Sequence, residues 1–457
     1  MAAEQLDAIV LFGATGDLAY KKIFPALQAM VCRGRLDIPV IGVARSAWNL
    51  EQFRGRVRDS LVQQGGIELQ GCAKLLGLLR FVRGDYREST TFEQLRKELG
   101  ADARPLYYLA IPPSLFSTVV EGLAKAGCVK NARVVVEKPF GRDLASAHTL
   151  NRTLRASFPE HAIFRIDHYL GKEPVQNILY FRFANPLFEG VWNARHITRV
   201  QITMAERFGV AGRGRFYEEV GAIRDVVQNH IFMVIACLTM SEPIKNDHES
   251  TRDARASALK MMRPLNPADV VRGQFRGYRQ EDGVAADSQV ETFAALKMYL
   301  DSDRWTGVPF YVRVGKCLPV TATEVLIEFK WPCCPVLHEI VPPANYIRFR
   351  LSPEVVIALG TNAKVPGEAM VGERIELIAR HGSGDEMQPY ERLLGDAMRG
   401  DAMLFIREDG VEAAWRVLEP ILSSPTPLYE YEPNTWGPPE AARLIGNDGW
   451  HNLQGTT

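Results

Sequence analysis

The sequence predicts two domains of different class. Residues 1–175 read as an α/β domain on a parallel sheet, and residues 176–457 as an α+β domain with a large, mainly antiparallel sheet. Three observations predict this. Apolar runs alternate with amphipathic stretches through the first third, the βαβ rhythm of a doubly wound sheet. After about residue 175, strand-like runs follow one another with few helices between most of them, which suits antiparallel pairing. Near Pro174, between the two regimes, lies a loop dense in polar and charged residues.

The first strand is the apolar run 8–12, followed by a glycine-rich turn and an amphipathic stretch to Cys32. Pro25 places the start of the main first helix near Phe24, because proline is tolerated in a first turn, and Asp17 is positioned to cap the entry. Residues 39–44, 106–111 and 133–136 are further strands, with helical stretches before the last two. In the second domain, strands are expected at 197–205, 292–300, 308–314, 324–331, 346–351 and 374–379. Helical patterns run through 231–238, 390–399 and 411–417.

At 457 residues, 46% hydrophobic and 24% charged, the chain is long enough for two cores. Lys+Arg and Asp+Glu both number 54, which excludes bulk positive charge as a grip on nucleic acid or anionic lipid. Neither nucleic acid nor a membrane is an expected partner, and there is no apolar run of about 18 residues. A local cluster of cations remains open. The seven cysteines are scattered without a CxxC pair, so neither a disulfide framework nor a zinc site is expected. Free thiols in a reducing cytoplasm are the expectation, with the vicinal pair Cys333 and Cys334 able to oxidise. The first seven residues carry acids and lead into a strand, unlike a targeting peptide.

Five segments carry chemistry. Gly13-Ala14-Thr15-Gly16-Asp17-Leu18-Ala19 follows the first strand directly. Small residues there let the backbone approach a pyrophosphate, and N–H groups at the next helix start can face its charge. This makes the first domain Rossmann-like, although a tight turn without a ligand shares the pattern. Arg45 follows the second strand where NAD-selective sites carry an acid. A guanidinium there suits the 2′-phosphate of NADP, and a plain surface arginine is the alternative. Lys138, in Glu137-Lys138-Pro139-Phe140-Gly141, sits at a strand's C-terminal end, where ligands of α/β sheets bind. Pro139 is a candidate for a cis bond.

The stretch Arg165-Ile166-Asp167-His168-Tyr169-Leu170-Gly171-Lys172-Glu173 is the most informative. His168, Tyr169 and Lys172 donate hydrogen bonds to an anion, and two of them add charge. Gly221-Ala222-Ile223-Arg224-Asp225-Val226-Val227-Gln228-Asn229-His230 leads into an apolar helix. With the α-helical step of about 100° per residue, Asp225 and His230 lie about 140° apart, so spacing does not put them on one face. Taken alone, His230 reads as a core histidine.

Together these segments resemble the glucose-6-phosphate dehydrogenase family across nearly the whole chain. Residues 165–173 and 221–230 are the most specific to it, with further matches at 84–86, 109–113, 205–206, 212–230, 272–279, 307–316, 390–401 and 434–438. The resemblance implies His230 as general base and Asp167 as the carboxylate that orients it. It implies Lys138, His168, Tyr169, Lys172, Glu206, Asp225 and Lys316 as substrate-binding residues. Gly13, Thr15, Gly16, Asp17, Lys22, Arg45 and Lys138 fall to the cofactor. Glucose 6-phosphate is then the substrate, NADP+ the cofactor with NAD+ secondary, and a homodimer or homotetramer the assembly. No metal is expected. Many family members carry Lys or Arg five residues after the lysine that matches Lys316, whereas Thr321 stands here. Two alternatives stay open: an oxidoreductase of the same fold acting on an unphosphorylated sugar or polyol, and a catalytically silent dinucleotide-binding paralogue.

Overall fold

The computed structural model describes residues 6–64, 66, 68–100, 102–331, 343–367, 371–381, 387–424 and 426–454. The chain divides into two compact units. The first is Met1–Glu173 with Pro243–Ala256 and Met387–Glu412; the second is Pro174–Glu242, Ser257–Glu386 and Ala413–Thr457.

The first unit carries a six-stranded sheet of β1 (Ala8–Phe12), β2 (Val40–Ala44), β3 (Leu79–Arg83), β4 (Pro105–Leu109), β5 (Arg133–Glu137) and β6 (Ile163–Ile166). The order is β3-β2-β1-β4-β5-β6, with every neighbouring pair parallel. β1, β2 and β4 are buried along their whole length, as a sheet covered on both faces requires, so they read as apolar runs rather than alternating ones. The strand order reverses between β1 and β4, and the crevice outside their carboxyl ends is where such sheets take ligands.

Two later segments that a contiguous division at 175 assigns to the second domain belong to this unit. The reason is the β6 edge, which needs covering. Arg165 bridges to Ile406 through the backbone, and Phe164 meets Phe405 edge to face at 4.9 Å. The fully buried Arg165 is neutralised by Glu160 at 2.6 Å. Arg133 donates to the carbonyls of Ala397 and Met398 at 3.1 and 2.6 Å, at the C-terminal end of helix Pro389–Arg399, where a cation complements the unpaired carbonyls.

The second unit carries a nine-stranded sheet among the described residues: β7 (Ile197–Ala205), β8 (Val270–Phe275), β9 (Phe293–Met298), β10 (Phe310–Gly315), β11 (Ala322–Phe329), β12 (Tyr346–Ser352), β13 (Val355–Lys364), β14 (Gly372–His381) and β15 (Leu428–Tyr431). The order is β14-β13-β12-β11-β7-β10-β9-β8-β15. Only β7 with β10 and β8 with β15 pair in parallel among these strands. At one edge, β14 exposes Ile375, Leu377 and Ile378.

The stretch Gly214–Thr239 is helical, long and apolar enough to cross a membrane, yet 89% of its most apolar window is buried inside the protein. It packs as a core helix, with Tyr217 and Val220 against Val271, Phe275 and Phe293 of the sheet. It is broken at Gly221, whose φ of +63° and close approach to Glu291 (a Cβ would lie 2.4 Å from Oε1) leave room for no side chain. The same Glu291 oxygen accepts from Ile223 N–H at 3.1 Å and so restarts the helix. Farther on, Arg313 is buried between the rings of Trp436 and Trp450, 4.3 and 5.0 Å from their centroids. It donates to Asn452 Oδ1 and His451 O, which fastens the C-terminal segment to the sheet.

Cys32, Cys72, Cys128, Cys237 and Cys317 are free thiols. Cys333 and Cys334 lie outside the described residues.

Candidate active site

The turn after β1 is shaped by what lies beside it. Gly13 has φ +77°, and a Cβ there would stand 2.1 Å from the carbonyl oxygen of Ala110, just past the end of β4. Only glycine allows this approach at the switch point. Gly13 N–H donates to the Tyr86 hydroxyl at 2.9 Å, which donates to Val43 O at 3.0 Å. Ser46 donates to Thr15 Oγ1 at 3.0 Å, joining the turn to the end of β2. Gly16, Asp17 and Lys22 are exposed. The small, backbone-lined cradle fits a dinucleotide pyrophosphate.

Asp17 does not cap the helix. Its carboxylate pairs with Lys21 Nζ at 2.9 Å, and this lowers its pKa. The helical run begins at Asp17 itself and passes through a π-turn, Ala19–Ile23, into Phe24–Cys32, so Pro25 falls well inside it rather than in its first turn. Arg45 follows β2 as expected. It is 81% exposed, with Asp85 as its neighbour at 3.8 Å.

At the carboxyl ends of β5 and β6 the register pairs Glu137 with Ile166, so Lys138 and Asp167 emerge side by side. The Lys138–Pro139 bond is cis. Asp167 is fully buried and accepts Tyr169 N–H at 3.0 Å; burial pushes its carboxyl up, opposed by the charges of His168, Lys138 and Lys172. The chain turns tightly here, with Leu170 N–H bonded to Asp167 O and Lys172 N–H to Tyr169 O, both at 3.0 Å. Lys172 Nζ lies 3.7 Å over the Tyr169 ring, and the His168 ring is 5.3 Å from that ring. The first unit thus brings Lys138, Asp167, His168, Tyr169 and Lys172 into one place, on the same edge of the sheet as the turn.

Sequence reasoning left Glu137, Tyr108 and Tyr390 without roles. Glu137 is buried, which pushes its carboxyl up to about 7 against the hydrogen bonds of Tyr108 and Tyr390 and the charge of Lys138. Tyr108 donates to it at 2.5 Å. The available signal was an acid directly after three consecutive valines, where burial demands a partner.

In the second unit, Glu206 follows the last residue of β7 and Lys316 the last of β10. The parallel register Gly315 to Ala205 sets them together, 2.5 Å apart. Lys316 also faces the rings of Phe208 and Tyr217 at 4.8 and 5.6 Å. Thr321 is used locally: its hydroxyl accepts Arg207 N–H at 3.0 Å. The α-helical spacing that does not put Asp225 and His230 on one face does not apply here. Residues Ile223–Ile231 form a π-helix, not an α-helix. Its i→i+5 bonding wraps five residues into the rise that four occupy in an α-helix, so Asp225 and His230 share a side. His230 is 3% exposed. Burial pushes the Tyr217 hydroxyl up, reinforced by the charges of Asp225, Glu291 and Glu206.

A parallel sheet in this strand order, a glycine cradle at its switch point and a cation cluster beside it define a nicotinamide-dinucleotide-dependent oxidoreductase. The family model described as "Glucose-6-phosphate dehydrogenase, NAD binding domain" matches residues 10–177, and "Glucose-6-phosphate dehydrogenase, C-terminal domain" matches 179–452. The chain belongs to the glucose-6-phosphate dehydrogenase family. It is 41% identical over 449 residues to glucose-6-phosphate 1-dehydrogenase 1 of Mycobacterium tuberculosis, covering 98% of this chain and 96% of that protein. The crystal structure of glucose-6-phosphate 1-dehydrogenase from Mycobacterium avium superposes with a TM-score of 0.92 at 41% identity, over 99% of both chains. A glucose-6-phosphate dehydrogenase solved in complex with glucose-6-phosphate gives 0.91 at 34% identity, over 99% of this chain and 100% of that one.

Proposed function

We propose that this protein oxidises D-glucose 6-phosphate at C1 to 6-phosphogluconolactone, the entry step of the oxidative pentose phosphate route, with NADP+ preferred and NAD+ secondary. The observation that carries the reading is the cation cluster at the ends of β5 and β6 on a chain of this family. Lys138, His168, Tyr169 and Lys172 offer donors and charge suited to a phosphate monoester.

When bound, the nicotinamide supplies the acceptor for the C1 hydride. His230, neutral in the ground state, takes the proton of the C1 hydroxyl on Nε2 or Nδ1. Asp167 orients that imidazole and stabilises its charged form. Glu206, Asp225 and Lys316 hold sugar hydroxyls, and Lys138 serves sugar and cofactor. Gly13, Thr15, Gly16, Asp17 and Lys22 serve the dinucleotide, and Arg45 its 2′-phosphate. Lys316 already pairs with Glu206, so the substrate meets a preformed ion pair there.

The test is direct. Purified protein is mixed with glucose 6-phosphate and NADP, and absorbance of the reduced cofactor is followed. Silence at high protein concentration favours a non-catalytic paralogue, and equal rates with free glucose favour the polyol reading. The rate should rise with pH through a histidine range; a flat profile from about 5 to 8 counts against His230 as base. We also propose a homodimer or homotetramer in the cytoplasm. The long β14 edge with its exposed Ile375, Leu377 and Ile378 supports self-association, and light scattering on the eluted protein decides the number of subunits.

A further inference from the structure

We propose that Tyr390 is a positioning residue for sugar-phosphate recognition: its ring backs the His168 imidazole while Glu137 holds its hydroxyl at the end of β5. Tyr390 opens helix Pro389–Arg399, distant in sequence from both partners. Its ring lies nearly parallel to that of His168, with centroids 6.3 Å apart and an interplanar angle of 12°. Its hydroxyl donates to the buried Glu137 carboxylate, which also accepts from Tyr108 on β4. Burial and the charge of Glu137 keep the Tyr390 phenol protonated, so it remains a donor.

A second observation points the same way. Gly171, inside the turn that carries His168 and Lys172, lies directly on this helix. A Cβ there would stand 2.9 Å from Leu393 Cδ1 and 3.1 Å from Pro389 O. The helix therefore acts as a form on which the turn is moulded. Tyr390 ties the start of the helix to the sheet through Glu137, the residue that precedes Lys138 and that Tyr108 also engages. Holding a ring through both its face and its hydroxyl removes rotational freedom that the imidazole would otherwise lose on binding. The charged and titratable groups that face Glu137 are Tyr108, Lys138, Asp167 and Tyr390, from β4, β5, the turn after β6 and the helix.

This inference rests on the reading of His168 as a phosphate ligand, and the experiment separates the two. KM and kcat for glucose 6-phosphate and KM for NADP are measured for Tyr390→Phe, Tyr390→Leu and His168→Asn. Tyr390→Phe keeps the ring and loses one hydrogen bond, so KM for the sugar phosphate should rise about 3-fold to 10-fold. Tyr390→Leu removes the stack as well and should raise it by a further factor of about 5. In both variants KM for NADP should stay within about twofold, a split that general loosening of the fold would not produce. The inference is overturned if both Tyr390 variants leave the sugar-phosphate KM unchanged while His168→Asn raises it, or if both KM values climb together. If His168→Asn itself leaves that KM unchanged, the phosphate-ligand reading fails first and the inference with it. Should Tyr390→Leu not fold, Tyr390→Phe alone carries the test.

Discussion

Arg45→Ala perturbs the single cation at the end of β2. The guanidinium is 81% exposed and its near neighbour is Asp85 at 3.8 Å, a separation too long for a good hydrogen bond. A 2′-phosphate would replace that weak contact with charge-assisted hydrogen bonds worth about 1.5–3 kcal/mol. The high exposure puts the effect at the lower end, because surface charges are screened by water and salt. Removing the side chain should therefore raise KM for NADP about 10-fold to 30-fold, at about 1.4 kcal/mol per tenfold. KM for NAD, which has no 2′-phosphate, should move less than twofold. The assay is initial rate against each cofactor at saturating glucose 6-phosphate and fixed ionic strength. The NADP effect should shrink at about 0.5 M salt. Equal changes with both cofactors would refute the assignment, as would an NADP effect indifferent to salt. Asp85→Asn provides the converse: it relieves a competing carboxylate and should lower KM for NADP.

Lys172→Ala should weaken glucose 6-phosphate binding at least tenfold and leave NADP binding nearly intact, as a cofactor titration of the variant will show. Gly13→Ala forces a side chain into a left-handed backbone against Ala110 O, and should cost about 2 kcal/mol or more in stability together with loss of dinucleotide binding; an unchanged Tm and Kd would contradict the packing described. Glu137 ionises at about 7 when folded against 4.5 for a free carboxyl. Below pH 4.5 it is protonated folded or unfolded and costs nothing. Between 4.5 and 7 the unfolded chain ionises first, so stability falls as pH rises, by up to about 3 kcal/mol, and then levels off. Glu137→Gln should flatten that slope in denaturant titrations run from pH 5 to 8.

The parts of the fold legible in the sequence were those where a single local signal suffices. β1, β2, β4 and β5 are unbroken apolar runs because both faces of a parallel sheet are covered, and the structure finds them within a residue or two. β3, with its sequence LRFVR, escaped notice because it is an edge strand with exposed arginines, directly after helix Leu69–Leu78. β6 escaped because its buried Arg165 looks polar until Glu160 is placed beside it. β8, β13 and β15 were also missed; β8 holds a glycine packed against Phe293, and β15 is only four residues long. At the site, the cations were visible because their residue types are unusual in those surroundings. The π-helix was not, since its hydrophobic pattern over nine residues is close to that of an α-helix, and the angular argument about Asp225 and His230 inherited the wrong period. Tyr390 was invisible as a partner of Glu137 because nothing local in either segment refers to the other.

The division into two units has an optical consequence. Six tryptophans, at 192, 305, 331, 415, 436 and 450, fall in the second unit, and Trp48 alone falls in the first. Intrinsic fluorescence will therefore report almost entirely on the second unit, where the Arg313 guanidinium lies against the rings of Trp436 and Trp450. Trp48 sits three residues beyond Arg45, its N–H bonded to Ser46 O at 2.7 Å. Trp48, beside the cofactor cradle, is thus the first unit's own spectroscopic gauge.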